Sequence, residues 1–470
     1  MIIDNGLKSP VDDSTPLLGD ANAPNAPPAY TPPRADFTPM GDTLIPYAVY
    51  QPVYAQQGQQ GQRRTGEPAG RRFCKAFLVV RGTTIIPSQV VLSQVSVRPP
   101  GRKKANPDFS NFPYSASTSF DFHLPSKSLL LLSKGGLSNG HLKITSSPNI
   151  ANVRVKVTVN YWIPAVRDAA KVCFIERSEG EGGVGIFPWR SRTYIDRLFF
   201  DVELILPRSN SILHVNGLST DVNNFSQDVD NLNAYFNDLS LKASKGKIET
   251  KSLTAAQAVL ATSSAPVAVE SLVAPIAVVM SSNGRITGTY AVVDSLTLKT
   301  SEGAINVTAS ITGNSSLEKT KDISMQTSNG PLNYVVDLGS TVGEAGSFRV
   351  KATTSNDKVT AKIVSAPLNS VLDVEARTSN HLASLVLPST YEGSFAILTS
   401  SSTAAVSRTN PQEKDPACDS DAKCKGRKRT FYLTEVTESC SKGSIYWDSQ
   451  NADRGSVVLG SSNGAATLYI

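Results

Sequence analysis

The sequence is poor in the residues from which most metal sites and many catalytic sites are built. It contains only four histidines, and none has a second histidine or a cysteine at the spacing of a metal site. The phosphate-binding Walker loop and the His-Glu-x-x-His zinc motif are also missing. We therefore expect no catalytic residues, no metal and no cofactor.

Two further classes of protein are disfavoured by what the chain lacks. No apolar stretch reaches the roughly 18 residues of a membrane-spanning helix, and the first 20 residues do not read as a signal peptide. The net charge is only +6, and the basic residues do not alternate with aromatic ones. A nucleic-acid-binding surface is normally more basic than this, so no nucleic-acid partner is expected.

Composition divides the chain into four regions. Residues 1–70 are rich in Pro and Gln and predict a disordered tail. Residues 71–104 form a basic, juxtamembrane-like strip whose short apolar run ends at Arg81. Residues 105–235 show the period-two alternation of a β-rich domain. Residues 236–470 contain the strongest signal, a repeat with an insertion at 408–442.

The repeat is an alternating apolar segment followed by Thr/Ser-Ser and a turn pair such as Asn-Gly. Its central serines are Ser244, Ser263, Ser282, Ser301, Ser328, Ser355, Ser379, Ser400 and Ser462. The first three spacings are 19 residues each, the next four are 21 to 27, and the last is 62. A fixed period near 20 predicts an all-β, β-helix-like solenoid. The alternative is a sandwich built from hairpins, because Asn-Gly between strands is also a hairpin signal.

Short motifs in the first 80 residues suggest partners and trafficking. Pro27, Pro28 and Tyr30 form a Pro-Pro-x-Tyr sequence of the kind that WW domains bind. Asp13, Leu17 and Leu18 match an acidic dileucine sorting signal. Cys74 lies beside two arginines, where palmitoylation is an option. The basic strip suits an anionic membrane surface.

Downstream of the strip lie two sets of residues that extracytoplasmic exposure would modify. The Asn-x-Ser/Thr sequons begin at Asn224, Asn306 and Asn314. Four cysteines are candidates for disulfide bonds, and they can pair in three ways: Cys173, Cys418, Cys424 and Cys440.

The order of these motifs resembles a group of proteins from mushroom-forming fungi. The resemblance is carried by Pro27-Pro-Ala-Tyr-Thr31, Arg71-Arg-Phe-Cys-Lys-Ala76, the Thr-Ser-Asn repeats, Tyr391-Glu-Gly-Ser-Phe395 and Gly443-Ser-Ile-Tyr-Trp447. Their repeat region is similar to an adhesin-type β-solenoid domain of bacteria. The resemblance implies a type II membrane protein with extracytoplasmic repeats. This chain departs from it at Arg81, where the span is cut short, so a soluble or peripheral protein is the alternative.

These observations favour a non-enzymatic, adhesin-like binding or structural protein, surface-displayed or membrane-tethered, whose ligand is a cell-wall glycan or a protein. Two alternatives stay open: a carbohydrate-active enzyme on a β-helix, which needs two converging carboxylates, and a cytosolic scaffold recruited by WW-domain proteins.

Overall fold

The computed structural model describes residues 95–97, 112–190, 193, 196–313, 319–341, 345–408, 413–419 and 427–470. Apart from β1, the predicted tail and basic strip lie outside this part of the chain. The strands before the first predicted repeat are β1 (Val95–Val97), β2 (Tyr114–Phe122), β3 (Ser128–Ser133), β4 (Asn139–Ser147), β5 (Val153–Tyr161), β6 (Lys171–Ser178), β7 (Glu181–Phe187), β8 (Leu198–Pro207), β9 (Leu213–Val222), β10 (Asn224–Val229) and β11 (Ala234–Ala243). A short helix, α1 (Pro164–Ala169), follows β5.

The remaining strands carry the repeats. They are β12 (Ile248–Thr262), β13 (Val267–Ser281), β14 (Ile286–Lys299), β15 (Ile305–Gly313), β16 (Lys321–Gln326), β17 (Leu332–Ser340), β18 (Ser347–Thr353), β19 (Val359–Ser365), β20 (Val371–Thr378), β21 (Ala383–Val386), β22 (Gly393–Thr399), β23 (Ala404–Ser407), β24 (Thr430–Val436), β25 (Cys440–Tyr446), β26 (Gly455–Ser461) and β27 (Ala466–Tyr469). Short 3-10 turns occupy Pro416–Asp419 and Ser449–Asn451.

The strands form a β-solenoid with two stacks. Stack A runs in the order β6, β7, β3, β9, β11, β12, β13, β14, β16, β18, β20, β26, β22, β25, β24. Stack B runs β1, β2, β5, β8, β4, β10, β12, β13, β14, β15, β17, β19, β21, β27, β23. The long strands β12, β13 and β14 belong to both stacks.

The parallel pairing decides between the two folds that the repeat allowed. Consecutive repeats pair in parallel, for example Val267 with Ile286 and Val279 with Leu298. A Thr-Ser turn therefore joins a strand of stack A to the next strand of stack B, instead of closing a hairpin. The solenoid prediction is confirmed, and the hairpin-built sandwich is wrong. Parallel stacking also crosses residue 235, because β10 pairs with both β4 and β12.

Identical positions of successive rungs form columns in the core. Alternation points every second side chain inward, and in-register stacking places each one about 4.8 Å above its equivalent. In stack A one buried column contains Leu241, Leu260, Val279, Leu298, Met325, Ala352, Ala376, Leu459 and Ile397. Each rung thus covers the apolar surface of its neighbours.

The turns stack as closely as the strands do. The backbone N–H groups of Ser282 and Asn283 both donate to the Ser263 carbonyl, at 3.1 and 3.0 Å, and the same pattern recurs at later turns. Beneath them, the buried Thr327 hydroxyl donates to the Gly303 carbonyl (3.1 Å) and accepts from the Gly330 N–H (3.2 Å). The first residue of the repeat turn therefore ties its own turn to the preceding rung.

The rung that ends the sequence does not end the solenoid. β26 lies between β20 and β22, and β27 lies between β21 and β23. The Asn463 N–H donates to the Ser379 carbonyl (2.8 Å), and the Ser400 N–H donates to the Ser462 carbonyl (3.1 Å). The intervening segment contains β24 and β25, which extend stack A: β25 pairs antiparallel with β22, and β24 pairs antiparallel with β25.

Replacement of Thr327 by valine tests the buried hydroxyl. Valine keeps the shape but leaves the buried Gly330 N–H without its acceptor, so the free energy of unfolding should fall by about 1–3 kcal/mol. Thr360→Val, at an exposed position of β19, is the matched control and should change stability by less than about 0.5 kcal/mol. Urea denaturation followed by circular dichroism measures both; equal midpoints for the two variants would contradict this role.

Candidate ligand-binding site

A cavity of about 630 Å³ opens near the N-terminal end of stack B, and we call it the end pocket. It forms where β5 and β8 pair, next to the connection between β3 and β4. Its size lies within the range of small-ligand sites. Its lining residues are Phe112, Gly136, Leu137, Asn139, Asn160, Asp196, Arg197, Leu198, Phe199 and Asp201.

A buried amide orients a carboxylate in the wall of the end pocket. Asn160 is almost fully buried, and its Nδ2 donates to Asp201 Oδ2 at 2.7 Å and to the Phe199 carbonyl at 3.5 Å. The contact is made across β5 and β8, where Asn160 pairs with Phe199. An amide held in this way keeps its own acceptor oxygen, and a carboxylate has several lone pairs beyond the one used here.

Aromatic side chains border the same cavity. The rings of Phe112 and Phe199 lie 6.5 Å apart. Trp162 follows Asn160 by two residues and is 48% exposed, whereas Trp189 is 60% exposed. Arg190, the neighbour of Trp189, packs against Gly136 in the pocket wall.

Of the tryptophans in the sequence, only Trp162 and Trp189 are exposed to solvent. The sequence has only three, and the third, Trp447, is 7% exposed and donates its indole N–H to the Ser389 carbonyl. Both exposed indoles therefore belong to segments next to the pocket wall, Trp162 two residues after Asn160 and Trp189 beside Arg190. Large exposed aromatic groups are a feature of binding surfaces, because burying them contributes much of the binding energy.

The remaining charged groups fit a polar ligand. Asp196 accepts hydrogen bonds from the Thr193 N–H (3.0 Å) and hydroxyl (2.9 Å), which holds its loop in place. Arg197 adds a guanidinium to the wall. Planar aromatic groups here accompany an amide, carboxylates and a guanidinium, so the pocket offers apolar surface, acceptors and donors together.

A second cavity, of about 590 Å³, crosses β10, β12, β13 and β14 on stack B. Two of its acidic side chains are paired with basic ones. Asp230 Oδ1 lies 2.6 Å from Lys251 Nζ, and Asp228 Oδ2 lies 2.7 Å from His141 Nε2. The hydrogen bond from Lys251 lowers the pKa of Asp230. A glycosidase needs a carboxyl group whose pKa is raised so that it can donate a proton, so the shift at Asp230 runs the wrong way for catalysis.

The predicted modification sites scatter over the solenoid. Asn306 is exposed on stack B, where its Oδ1 accepts a hydrogen bond from Asn333 (2.8 Å), whereas Asn224 is half-buried at the start of β10. The tail motifs (Asp13, Leu17, Leu18, Pro27, Pro28, Tyr30), Cys74, Asn314 and Cys424 lie outside the described residues.

The predicted disulfide cysteines are in different states. Cys418 is disulfide-bonded, and Cys173 is buried in β6. Cys440 carries a free thiol, which differs from the prediction that it takes part in a disulfide bond. Burial, together with a hydrogen bond to Glu435, raises the pKa of that thiol, which makes the reactive thiolate scarcer at neutral pH.

One sequence match to a catalytic motif is explained by the turns. Gly460-Ser-Ser-Asn-Gly464 has the letters of the Gly-x-Ser-x-Gly elbow of serine hydrolases. That elbow joins a strand to a helix, whereas this segment joins β26 to β27 as one of the stacked turns. Ser461 donates to the His381 carbonyl (2.7 Å) and accepts from the Gly464 N–H (2.9 Å).

Sequence reasoning did not single out the end pocket. Its residues come from four separate stretches of the chain, and no spacing rule connects them. The available signal was the scarcity of tryptophan, combined with the position of Trp162 directly after a strand that ends in Asn160 and Tyr161.

The part of the chain that the structure describes contains no helix with the length and apolar character of a membrane span.

Comparisons with known proteins found a family model and solved structures to which this chain is similar. No curated protein matches the chain. A solved structure of a "putative cell adhesion protein" from Clostridium sporogenes is 10% identical, covering 76% of this chain and 99% of its own, with a TM-score of 0.15. A "putative adhesin" from Parabacteroides distasonis is 12% identical, covering 56% of this chain and 95% of its own, with a TM-score of 0.21. Residues 182–380 match the Toastrack DUF4097 family model, so this chain is similar to that family over the run of strands from β7 to β20.

Proposed function

We propose that this chain is a non-enzymatic, adhesin-like binding protein that holds a saccharide of a cell-wall glycan in the end pocket. The observation that carries the proposal is a cavity walled by the buried Asn160–Asp201 pair, with the two exposed tryptophans, Trp162 and Trp189, in segments next to that wall.

The chemistry of the pocket supports a sugar over a purely apolar ligand. Indole faces pack against the C–H face of a pyranose, while its hydroxyls require both acceptors and donors. Asp201 and Asp196 supply acceptors, and Arg197 supplies donors. A hydrophobic ligand would leave these polar groups desolvated without partners, at a cost in binding free energy.

The solenoid supports the pocket as a rigid body. The strands β5 and β8, which carry Asn160 and Asp201, pair in register over eight residues. β8 then pairs with β4, the next strand of stack B. Binding therefore requires little ordering of the backbone, and preorganisation of this kind raises affinity.

Surface display or membrane tethering forms the second part of the proposal. Its support comes from the sequence: the basic strip at 71–104, the sorting motif at Asp13, Leu17 and Leu18, and the sequons at Asn224, Asn306 and Asn314. In that arrangement the solenoid lies outside the cell and the tail inside it.

Binding to insoluble chitin and β-glucan tests the pocket directly. Trp162→Ala, Trp189→Ala and Asp201→Ala should each weaken retention by at least about tenfold, because each removes a side chain that the proposal places against the saccharide. Val364→Ala is the control, since Val364 is 50% exposed but lies on β19, away from both the end pocket and β24. Binding that survives the Trp162→Ala/Trp189→Ala double variant would refute the assignment of the pocket.

Endoglycosidase treatment of the protein from its native host tests display. We expect a loss of mass, reduced in an Asn306→Gln variant, because Asn306 is exposed on the outer surface of stack B. Asn233→Gln, at an exposed asparagine outside any sequon, is the control. An unmodified Asn306 in a chain confined to the cytosol would rule display out.

A further inference from the structure

Stack A ends in an open strand edge. Within the described residues β24 pairs with β25 alone, so one side of its backbone has no strand partner. Its side chains are also exposed: Tyr432 is 59% and Val436 63% accessible, and Leu433 is exposed as well. An apolar edge strand of this kind is a template for pairing with another strand.

The opposite end of stack A differs. There the edge strand β6 carries Lys171, Glu176 and Arg177, and its apolar residues Val172 and Ile175 are buried. Charged side chains on an edge strand discourage further pairing. The two ends therefore do not fit each other as a head-to-tail pair, and β24 needs a strand with apolar side chains.

The charges at the two ends of the β24 segment favour a second copy of β24 as the partner strand. The segment begins with Arg427, Lys428 and Arg429 and ends with Glu435 and Glu438. Lys428 and Glu438 are both exposed. A parallel copy would bring like charges together, whereas an antiparallel copy brings the basic end of each strand beside the acidic end of the other.

We infer that the chain forms a two-fold dimer in which β24 pairs antiparallel with β24 of a second copy. With Leu433 near the two-fold axis, the end of each strand that carries Lys428 lies beside the end of the other that carries Glu438, and the apolar residues Tyr432 and Val436 of both strands cluster. The interface is isologous, so it closes with two copies.

A register shift in β24 sets the expected strength of the association. The register to β25 shifts between Leu433 and Glu435, which twists the strand and interrupts regular pairing on the open side. The continuous part of the contact is therefore short, and we expect association that depends on concentration.

The dimer has a consequence for binding that depends on the proposed function. In stack B the end pocket at β8 is eleven strands from β23, or roughly 50 Å at about 4.8 Å per strand. Pairing at the β24 end would give a particle with one pocket near each tip. Two pockets on one particle increase retention on a polymer without any new contact.

Sedimentation equilibrium of the full chain over a hundredfold range of concentration tests the dimer without reference to any ligand. We expect a monomer–dimer equilibrium, weakened at least about tenfold by Leu433→Lys, which inserts a charge into the edge. Lys428→Glu should weaken it by placing two acids opposite each other, and Lys428→Glu/Glu438→Lys should restore it. Lys245→Glu, at an exposed turn far from β24, is the control for net charge.

Each outcome of these experiments tests a different part of the dimer proposal. A monomer at every concentration overturns the dimer, and so does an association that Leu433→Lys leaves unchanged. Assemblies larger than two overturn two-fold closure, and a double charge reversal that fails to restore pairing overturns the antiparallel register. Circular dichroism and urea midpoints equal to those of the parent chain confirm that the exposed substitutions leave the fold intact. Because glycan retention is measured separately, loss of the dimer and failure of the pocket are distinguishable.

Discussion

The structure depends on one requirement, that each rung repeats the backbone path of the rung below it. Parallel strands can satisfy their N–H and C=O groups only if the next rung presents the complementary groups in register. The stacked turns enforce that register, because each turn donates two N–H groups to one carbonyl of the preceding turn. The buried Thr or Ser beneath them adds a side-chain link, and the exposed amides add another, as where Asn356 Nδ2 donates to Asn329 Oδ1 at 2.6 Å.

This requirement explains which parts of the fold were predictable. A turn that must fit its neighbour repeats its residues, so the serines from Ser244 to Ser379 announced both the solenoid and its rung positions. Rungs before Ser244 do the same stacking without that turn sequence, as in the pairing of β4 with β8 and β10, and the repeat did not reveal them. The position of the last rung was equally hidden, because Ser400 and Ser462 are equivalent as turns and only tertiary pairing decides that Ser462 lies below Ser400.

Because of the same requirement, sites for specific binding form at the ends of the stacks. Residues in the middle rungs are constrained on two sides by their neighbours, and their outward side chains form repeating or mutually paired rows. At the N-terminal end the strands turn antiparallel, and the connections from β3 to β4 and from β7 to β8 are free to form a cavity. At the C-terminal end the inserted hairpin leaves a strand edge uncovered. The pocket residues Asn139, Asn160 and Asp201 come together only through tertiary pairing, so no local pattern could have predicted them.

Hydrogen exchange of the full chain, with and without a soluble chitin or β-glucan oligosaccharide, tests the central claim most directly. The account predicts that the ligand slows exchange around residues 136–139, 160–162 and 196–201, while the stacked turns from Ser244 to Ser379 keep their rates. Slower exchange along those turns, with no change around the end pocket, would contradict it and would place the binding surface on the repeats themselves.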